Sequence, residues 1–468
     1  MIRRDFIKNG TLSALGISLV GTTETFGQLF TPSNKDTIGT AKNIIFLVSD
    51  GMSSGTLTMA NLLSNRMYGR ESRWISLYRE KKAVRAFMDT ASADSMVTDS
   101  AASSSAWGGG KRVNNGSLNV NADGSHNTPI LQKFKNAGKK VGCVTTVPIT
   151  HATPAGFCIC NKSRNSQAEI ALQYLPLQFD VMMGGGDKYF NPTKRSDKVD
   201  VYAKFEKASY QIAKTKAQML SAKNQKPILG VFGNDALPFT IDQLHDKNHQ
   251  ELVPTLSEMT VKTIELMKDH PNGFVLQVEG GKVDWAAHSN DTSGLLFDQI
   301  AFDQAVEKAI EFAEKDKNTL VIVTTDHGNG NPGLFGEDNS DQKFDLFQKF
   351  KHSNEWILNE VKPNTSPASL IEMIQHGQGY AISNEQAKDL LSHYQKLDGG
   401  GLYNARKLPF ELLGKIQSNY TSVYWGSMDH SADYVELAAY GPGSELMEPF
   451  VRNTELHNLM LNATGLKV

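Results

Sequence analysis

Only three cysteines, Cys143, Cys158 and Cys160, occur in the 468 residues of this sequence. So sparse and odd a count excludes a disulfide framework, even in an oxidising compartment. The CxC spacing of Cys158 and Cys160 is a weak zinc signal, and thiols of this kind serve more often as small buried apolar residues. Net charge is nearly absent as well: 48 Lys and Arg against 50 Asp and Glu leave a formal −2. No long basic block is present, which argues against nucleic acid as a partner. Weak overall charge does not exclude an anionic substrate, because metal ions and one arginine can reverse the field inside a cleft. Also missing is any apolar run of about twenty residues, so no membrane span is expected. Repeats and low-complexity tracts are lacking too. What remains, 40% hydrophobic and 21% charged with a mean hydropathy of −0.36, describes a soluble globular chain long enough for a large core.

The first residues read as an address. MIRRDFIKNG is a short basic start, and TLSALGISLVG is an apolar run of signal-peptide length. Arg3 and Arg4 followed by Phe6 resemble a twin-arginine export signal, the alternative being a frayed amphipathic helix. The expectation is a signal over residues 1–27, cleaved near Gly27, a linker over 28–41, and a periplasmic or secreted protein. That route carries folded proteins, which suits a chain without disulfides.

Beyond the linker, NIIFLVS (43–49) is a continuous apolar run that stops at Asp50-Gly51. Similar runs are VGCVTTV (141–147), PILGVF (227–232), FVLQVE (274–279) and TLVIVTT (319–325), with YVELAAYG (434–441) near the end. Between them lie stretches with helical apolar spacing, such as VPTLSEMTVKTIELMKDHPNG and LLFDQIAFDQAVEKAIEFAEKD. Strands without alternation, interleaved with helices, predict a mostly parallel sheet buried on both faces: a three-layer α/β sandwich. Residues 331–428 change texture, polar and aromatic without a strong strand, and SNEQAKDLLSHYQKL reads as a helix behind a serine cap. We read this segment as an insertion in one α/β domain made of 42–330 and 429–468.

Ligands of open parallel sheets bind at the carboxyl ends of the strands. Here Asp50, Glu279 and the Asp326-His327 pair stand at three such ends. One carboxylate there can merely cap the next helix, but three strand ends point to a shared site. Past Glu279, EGGKVDWAAHSND places Asp284 and His288 four apart, on one face of a helical turn, as a surface pair or as ligands of one cation. Carboxylates mixed with imidazoles suit zinc, and an all-oxygen set suits magnesium. In VTDSAASSSAWGGG, Ser100 precedes a small-residue helix whose free N–H groups favour an anion; it is a nucleophile or only an N-cap. The segment is not a GxSxG elbow, and no histidine triad can be assigned, so a nucleophilic Ser100 would need a metal to favour its alkoxide.

The segments FLVSDGM, VTDSAASSSAWGGGKRVNNG, HATPAGF, VEGGKVDWAAH, TTDHG and DHSADYVELAAYGPG, in this order, resemble the signature blocks of alkaline phosphatases. That resemblance covers roughly residues 42–330 and 428–466. It implies hydrolysis of phosphate monoesters through a phosphoserine on Ser100. It also implies one zinc on Asp284, His288 and His430, and a second on Asp50, Asp326, His327 and Ser100. A magnesium-type position on Asp50, Thr153 and Glu279 completes the set. Arg164, thirteen residues after His151, matches the phosphate-binding arginine, whose planar fork grips two oxygens; without the resemblance it is an ordinary loop arginine.

Two departures bear on the substrate side. His151 stands where some relatives are acidic, which puts the third metal in doubt, and Trp285 replaces a lysine or histidine, where it either shapes the pocket mouth or merely packs. The 331–428 segment resembles the family's variable insertion, which implies a homodimer contact or a cleft cover. Sulfatases of the superfamily need a CxPxR-like block, and diesterases usually lack the third-position Thr and Glu, so both are disfavoured.

Overall fold

The computed structural model describes residues 39–336, 338–394 and 407–466. The expected signal over 1–27, and the linker as far as residue 38, lie outside the described residues. Within them Gly39 and Ala41 donate backbone hydrogen bonds to the carbonyls of Asn462 and Ala463, so the start of the described chain is tied to the last helix, Glu455–Ala463.

In chain order the strands are β1 (Asn43–Ser49), β2 (Val84–Asp89), β3 (Lys140–Pro148), β4 (Val181–Gly185), β5 (Gln211–Ala213), β6 (Ile228–Val231), β7 (Phe274–Gly280) and β8 (Thr319–Thr324). After these come the two-residue β9 (Gly328–Asn329), β10 (Gly333–Leu334), β11 (Val423–Tyr424) and β12 (His430–Ser431), then β13 (Val435–Tyr440) and β14 (Phe450–Arg452). Ten form one sheet in the order β14-β2-β13-β8-β1-β7-β3-β4-β6-β5, while β10–β11 and β9–β12 are small antiparallel ribbons. Within the large sheet only β13 runs against its neighbours, β2 and β8.

All seven residues of β1 are buried. Ile45 and Leu47 face a layer containing Ser54–Tyr68, Leu256–Met267 and Thr292–Asp316, whereas Ile44, Phe46 and Val48 face Ser100–Gly109, Ala152–Cys158 and Glu455–Ala463. Alternation of that kind, with apolar residues on both faces, is what a three-layer α/β sandwich requires. β2 was not foreseen because VRAFMD leaves Arg85 and Phe87 exposed, and β4 (VMMGG) ends in glycine. The short β5 and β14 close the two edges of the sheet.

Three contacts locate the site. Ring centroids of Phe46 on β1 lie 5.0 Å from Trp107 and 5.1 Å from Phe157, locking helices Ser100–Gly109 and Ala152–Cys158 to the central strand. Those helices cross at Gly108 and Gly156, where an added Cβ would collide with Gly156 O and Ser104 Oγ respectively. Register does the rest: Val48 pairs with Glu279 and with Thr324, so β1, β7 and β8 end level.

The described residues of 331–428 form the helices Asn354–Glu360, Pro367–Gln378, Asn384–Tyr394 and Phe410–Thr421, among others. Gln386 N donates to Ser383 Oγ at 3.1 Å, the serine cap read from the sequence. Phe344, Phe347, Ile357, Leu370 and Leu413 belong to the same apolar cluster as Ile45 and Leu47. All three cysteines are free thiols, Cys143 and Cys158 buried with Sγ atoms 3.6 Å apart. No helix among the described residues is long and apolar enough to cross a membrane.

Candidate metal centre

The level ends of β1, β7 and β8 bring Asp50, Glu279, Asp326 and His327 to one edge of the sheet, all fully buried. Ser100 opens the helix Ser100–Gly109, but it is not the cap: Asp99 is, its Oδ1 accepting from Ala102 N at 2.9 Å. The Ser100 hydroxyl is thereby left free of capping. Its Oγ lies 3.3 Å from His327 Nε2 and 3.5 Å from Asp50 Oδ1. Thr153 Oγ1, from the helix that follows β3, donates to Asp50 Oδ2 at 3.3 Å.

Three groups of carboxylates and imidazoles bring ligand atoms within 4.8 Å of one another: Asp284 with His327 and His430, Asp50 with Asp326 and His327, and Asp50 with His151 and Glu279. His288 joins the first group, its Nε2 3.0 Å from His430 Nε2 and 3.5 Å from Asp284 Oδ1. The Nδ1 of His288 lies 2.7 Å from Met428 O, and that of His430 lies 2.9 Å from Thr98 O. A carbonyl only accepts, so each ring carries a proton on Nδ1 and turns Nε2 toward the other ring and toward Asp284 Oδ1. A cation placed among those atoms would take the two nitrogens and the carboxylate as ligands. Two buried oxygens nearby, Asp326 Oδ2 and Glu279 Oε1, have no hydrogen-bond partner among the described residues, although Asp326 Oδ2 lies 3.2 Å from His327 Nε2. Acceptors of this kind beside two facing imidazole nitrogens fit metal ions well.

Charge tells the same story. Burial raises the Asp50 carboxyl well above its ordinary range, and the carboxylates of Asp326, Asp284 and Glu279 raise it further. Burial also works against the charge of Asp284, but the imidazoles of His288 and His430 outweigh it and hold the carboxyl well below the usual value. For His430 the cost of burial is overcome by Asp284, which lifts it to about 8. The neighbouring carboxylates thus make ionisation of Asp50 costly unless a cation shares the site.

Arg164 lies between Asp99 and His151. Its Nη1 donates to Asp99 Oδ2 at 2.9 Å and its Nη2 meets His151 Nε2 at 3.1 Å. Arginine can only donate, so His151 accepts through Nε2 and carries its proton on Nδ1, 3.9 Å from Glu279 Oε1. His151 Nδ1 thus stands with the oxygens of Asp50 and Glu279 in the third group, and Thr153 adds a hydroxyl beside them. Trp285 lies next to His151, ring centroids 6.2 Å apart and edge to face.

All twelve residues singled out in the sequence therefore lie in one region. Three neighbours were not. Asp99 holds both the helix start and Arg164, and the N-cap preference for Asp could have found it. Thr145 Oγ1 donates to Glu279 Oε2, and Asn329 Nδ2 donates to Asp284 Oδ1 at 2.7 Å. Neither carries a local sequence signal, because each acts across the fold.

The alkaline phosphatase family model matches residues 41–466. Among curated relatives, alkaline phosphatase 4 of Bacillus subtilis is 29% identical over 90% of this chain and 88% of its own. The Escherichia coli alkaline phosphatase is 32% identical over 61% of this chain and 70% of its own. The crystal structure of Thermus thermophilus alkaline phosphatase superposes with a TM-score of 0.85 at 30% identity, covering 96% of each chain. A further neighbour, 25% identical with a TM-score of 0.65 over 92% of this chain and 100% of its own, is a mutant TAB5 alkaline phosphatase with magnesium bound in its M3 site. Matched along nearly its whole length in sequence and in fold, the chain belongs to the alkaline phosphatase family of phosphoric monoester hydrolases.

Proposed function

We propose that this enzyme hydrolyses phosphate monoesters through a phosphoserine on Ser100, with zinc held by Asp284, His288 and His430, a second zinc by Asp50, Asp326, His327 and Ser100, and magnesium by Asp50, Thr153 and Glu279. The observation that carries the reading is the Ser100 hydroxyl, free of capping at a helix N-terminus and 3.3–3.5 Å from His327 and Asp50. Bound there, the ions would neutralise the buried carboxylates and lower the pKa of a hydroxyl or water in contact with them. The oxygen donors Asp50, Thr153 and Glu279 suit magnesium at the third position.

The chain's own residues do the rest. Arg164 grips the phosphoryl oxygens with its planar fork, and Asp99, directly before Ser100, keeps that fork beside the nucleophile. Free N–H groups of the helix opening at Ser100 favour the anion. Ser100 Oγ loses its proton and bonds to phosphorus, while the bond to the alcohol oxygen breaks and the alcohol leaves with a proton. Water oxygen then attacks phosphorus, the Oγ–P bond breaks, and inorganic phosphate is released. Most of the work is positioning and charge stabilisation, as phosphoryl transfer requires.

The test is Ser100→Ala. It should lose acid-trappable phosphoserine and fall at least about a thousandfold in monoester turnover, while elemental analysis still finds zinc. Near-normal turnover by that variant, or diester hydrolysis outrunning monoester hydrolysis in the wild type, would sink the reading. The mass of the exported protein in the same preparation tests removal of residues 1–27.

A further inference from the structure

Beside the metal centre lies a cavity of about 1120 Å³, far larger than a phosphoryl group needs. His288 forms part of its wall, so the cavity opens from the Asp284–His288–His430 side of the centre. One wall is a single face of the insertion helix Phe410–Thr421: Glu411, Gly414, Lys415 and Ser418 follow the three- and four-residue spacing of one helical stripe. Three aromatic side chains, Trp285, Tyr424 and Trp425, also line it.

Trp425 is held firmly. Its Nε1 donates to Thr292 Oγ1 at 3.3 Å, and its loop is clamped on Gly330, whose carbonyl accepts from Gly426 N at 2.9 Å and Ser427 N at 3.1 Å. Gly330 has φ +63°, and a Cβ there would come 2.9 Å from the Trp425 ring, so glycine is what lets the indole lie against the strand end. A ring fixed before the ligand arrives loses little entropy on stacking.

We propose that this cavity receives the leaving group and favours monoesters whose alcohol carries a planar aromatic ring, a nucleoside or an aryl group. The proposal rests on the phosphomonoesterase reading above and adds the substrate class. Aromatic faces supply stacking for such a ring, and the polar helix stripe, with Glu411 and Lys415 paired at 2.7 Å, supplies hydrogen-bonding groups at its edge. Aliphatic alcohols such as glycerol gain from neither.

The experiment compares adenosine 5′-monophosphate, 4-nitrophenyl phosphate and glycerol 2-phosphate on the metal-loaded enzyme and on Trp425→Ala. The variant should raise KM about tenfold for the two aromatic esters, the size of one lost stacking contact. Its kcat/KM for glycerol 2-phosphate should change far less, and inhibition by inorganic phosphate should not change at all. Trp425→Phe should restore most of the discrimination. Should Trp425→Ala not fold, free adenosine must still inhibit glycerol 2-phosphate hydrolysis competitively in the wild type. An effect on one aromatic ester alone tells whether the nucleoside or the aryl group is the preferred occupant. Equal losses on all three esters, no loss on any, or no inhibition by adenosine overturns the inference. A wild type that hydrolyses none of the esters overturns the parent reading instead.

Discussion

Arg164 shows how a single side chain acquires a role from its neighbours. In NKSRNS it is one arginine in a polar loop. The fold brings it 2.9 Å from Asp99 and 3.1 Å from His151, and so to the entrance of the buried carboxylate cluster. Burial pushes the Asp99 carboxyl up, but Arg164 and the backbone N–H groups of Ala102 and Gly116 outweigh that and hold it below its usual value. The pair is therefore ionised whenever the enzyme works. Lysine at 164 would keep the charge and lose the second donor of the fork. Arg164→Lys should raise KM for a monoester and Ki for inorganic phosphate together, by about ten- to a hundredfold, the loss of one charge-assisted hydrogen bond. Steady-state kinetics with phosphate as inhibitor checks this; a fall in kcat with KM and Ki untouched would show that Arg164 is not a ground-state phosphate ligand. Asp50, Glu279 and Asp326 were legible in the sequence because strand ends advertise themselves. Arg164, His151 and Trp285 needed a resemblance, since no local pattern says which loop residue will face the site.

At the scale of elements, the long helix Thr292–Asp316 organises its surroundings through buried carboxylates. Asp291, its N-cap, also accepts from Glu355 N at 3.2 Å; Asp298 accepts from Thr240 N at 2.9 Å; Asp303 accepts from Arg73 N at 2.6 Å and Trp74 N at 2.9 Å. Each bond falls at the start of another helix, so one helix caps three others from the side. Burial raises these carboxyls, to about 6 for Asp291 and Asp303 and about 7 for Asp298. A carboxyl whose pKa is higher folded than unfolded binds its proton preferentially in the native state. Its contribution is complete at low pH and declines as pH rises through the folded pKa. For Asp298 the declining window runs from about 4 to 7, at up to roughly 1.4 kcal/mol per pH unit. Asp298→Asn keeps an acceptor for Thr240 N and removes the titration. The melting temperature of Asp298→Asn minus that of the wild type should therefore increase from pH 4 to pH 8, as scanning calorimetry can measure; a flat or falling difference would show that the carboxyl is not destabilised by burial. None of this capping could be read from the sequence, where DTSGLLFDQIAFDQ looks like an ordinary amphipathic helix with polar positions facing water. The buried core strands were plain for the opposite reason, because continuous runs such as NIIFLVS have no other use. β2 escaped for want of such a run, its exposed Arg85 and Phe87 breaking the pattern.

For the molecule as a whole, two large apolar clusters hold the sandwich together on either side of the sheet, and the centre at the strand ends opposes them locally. Asp50, Glu279 and Asp326 are fully buried and Asp284 nearly so, four carboxyls that repel one another at close quarters. Cations that bind this arrangement bind the folded chain and not the unfolded one, so they add stability by mass action, about 4 kcal/mol when free metal exceeds its Kd a thousandfold. Exhaustive chelation should lower the melting temperature by several degrees. Far-UV circular dichroism at 25 °C should stay unchanged, because neither apolar cluster depends on the ions. Adding zinc with magnesium back should restore both the melting temperature and turnover, whereas magnesium alone should restore neither fully, since His288 and His430 offer nitrogen where magnesium prefers oxygen. Amide exchange should locate the loosening in the chelated protein at residues 50–54, 279–288 and 326–330, leaving the middles of β1, β7 and β8 protected. A chelated protein that melts at the same temperature as the loaded one would mean that the orphaned oxygens of Asp326 and Glu279 are satisfied by something other than a metal.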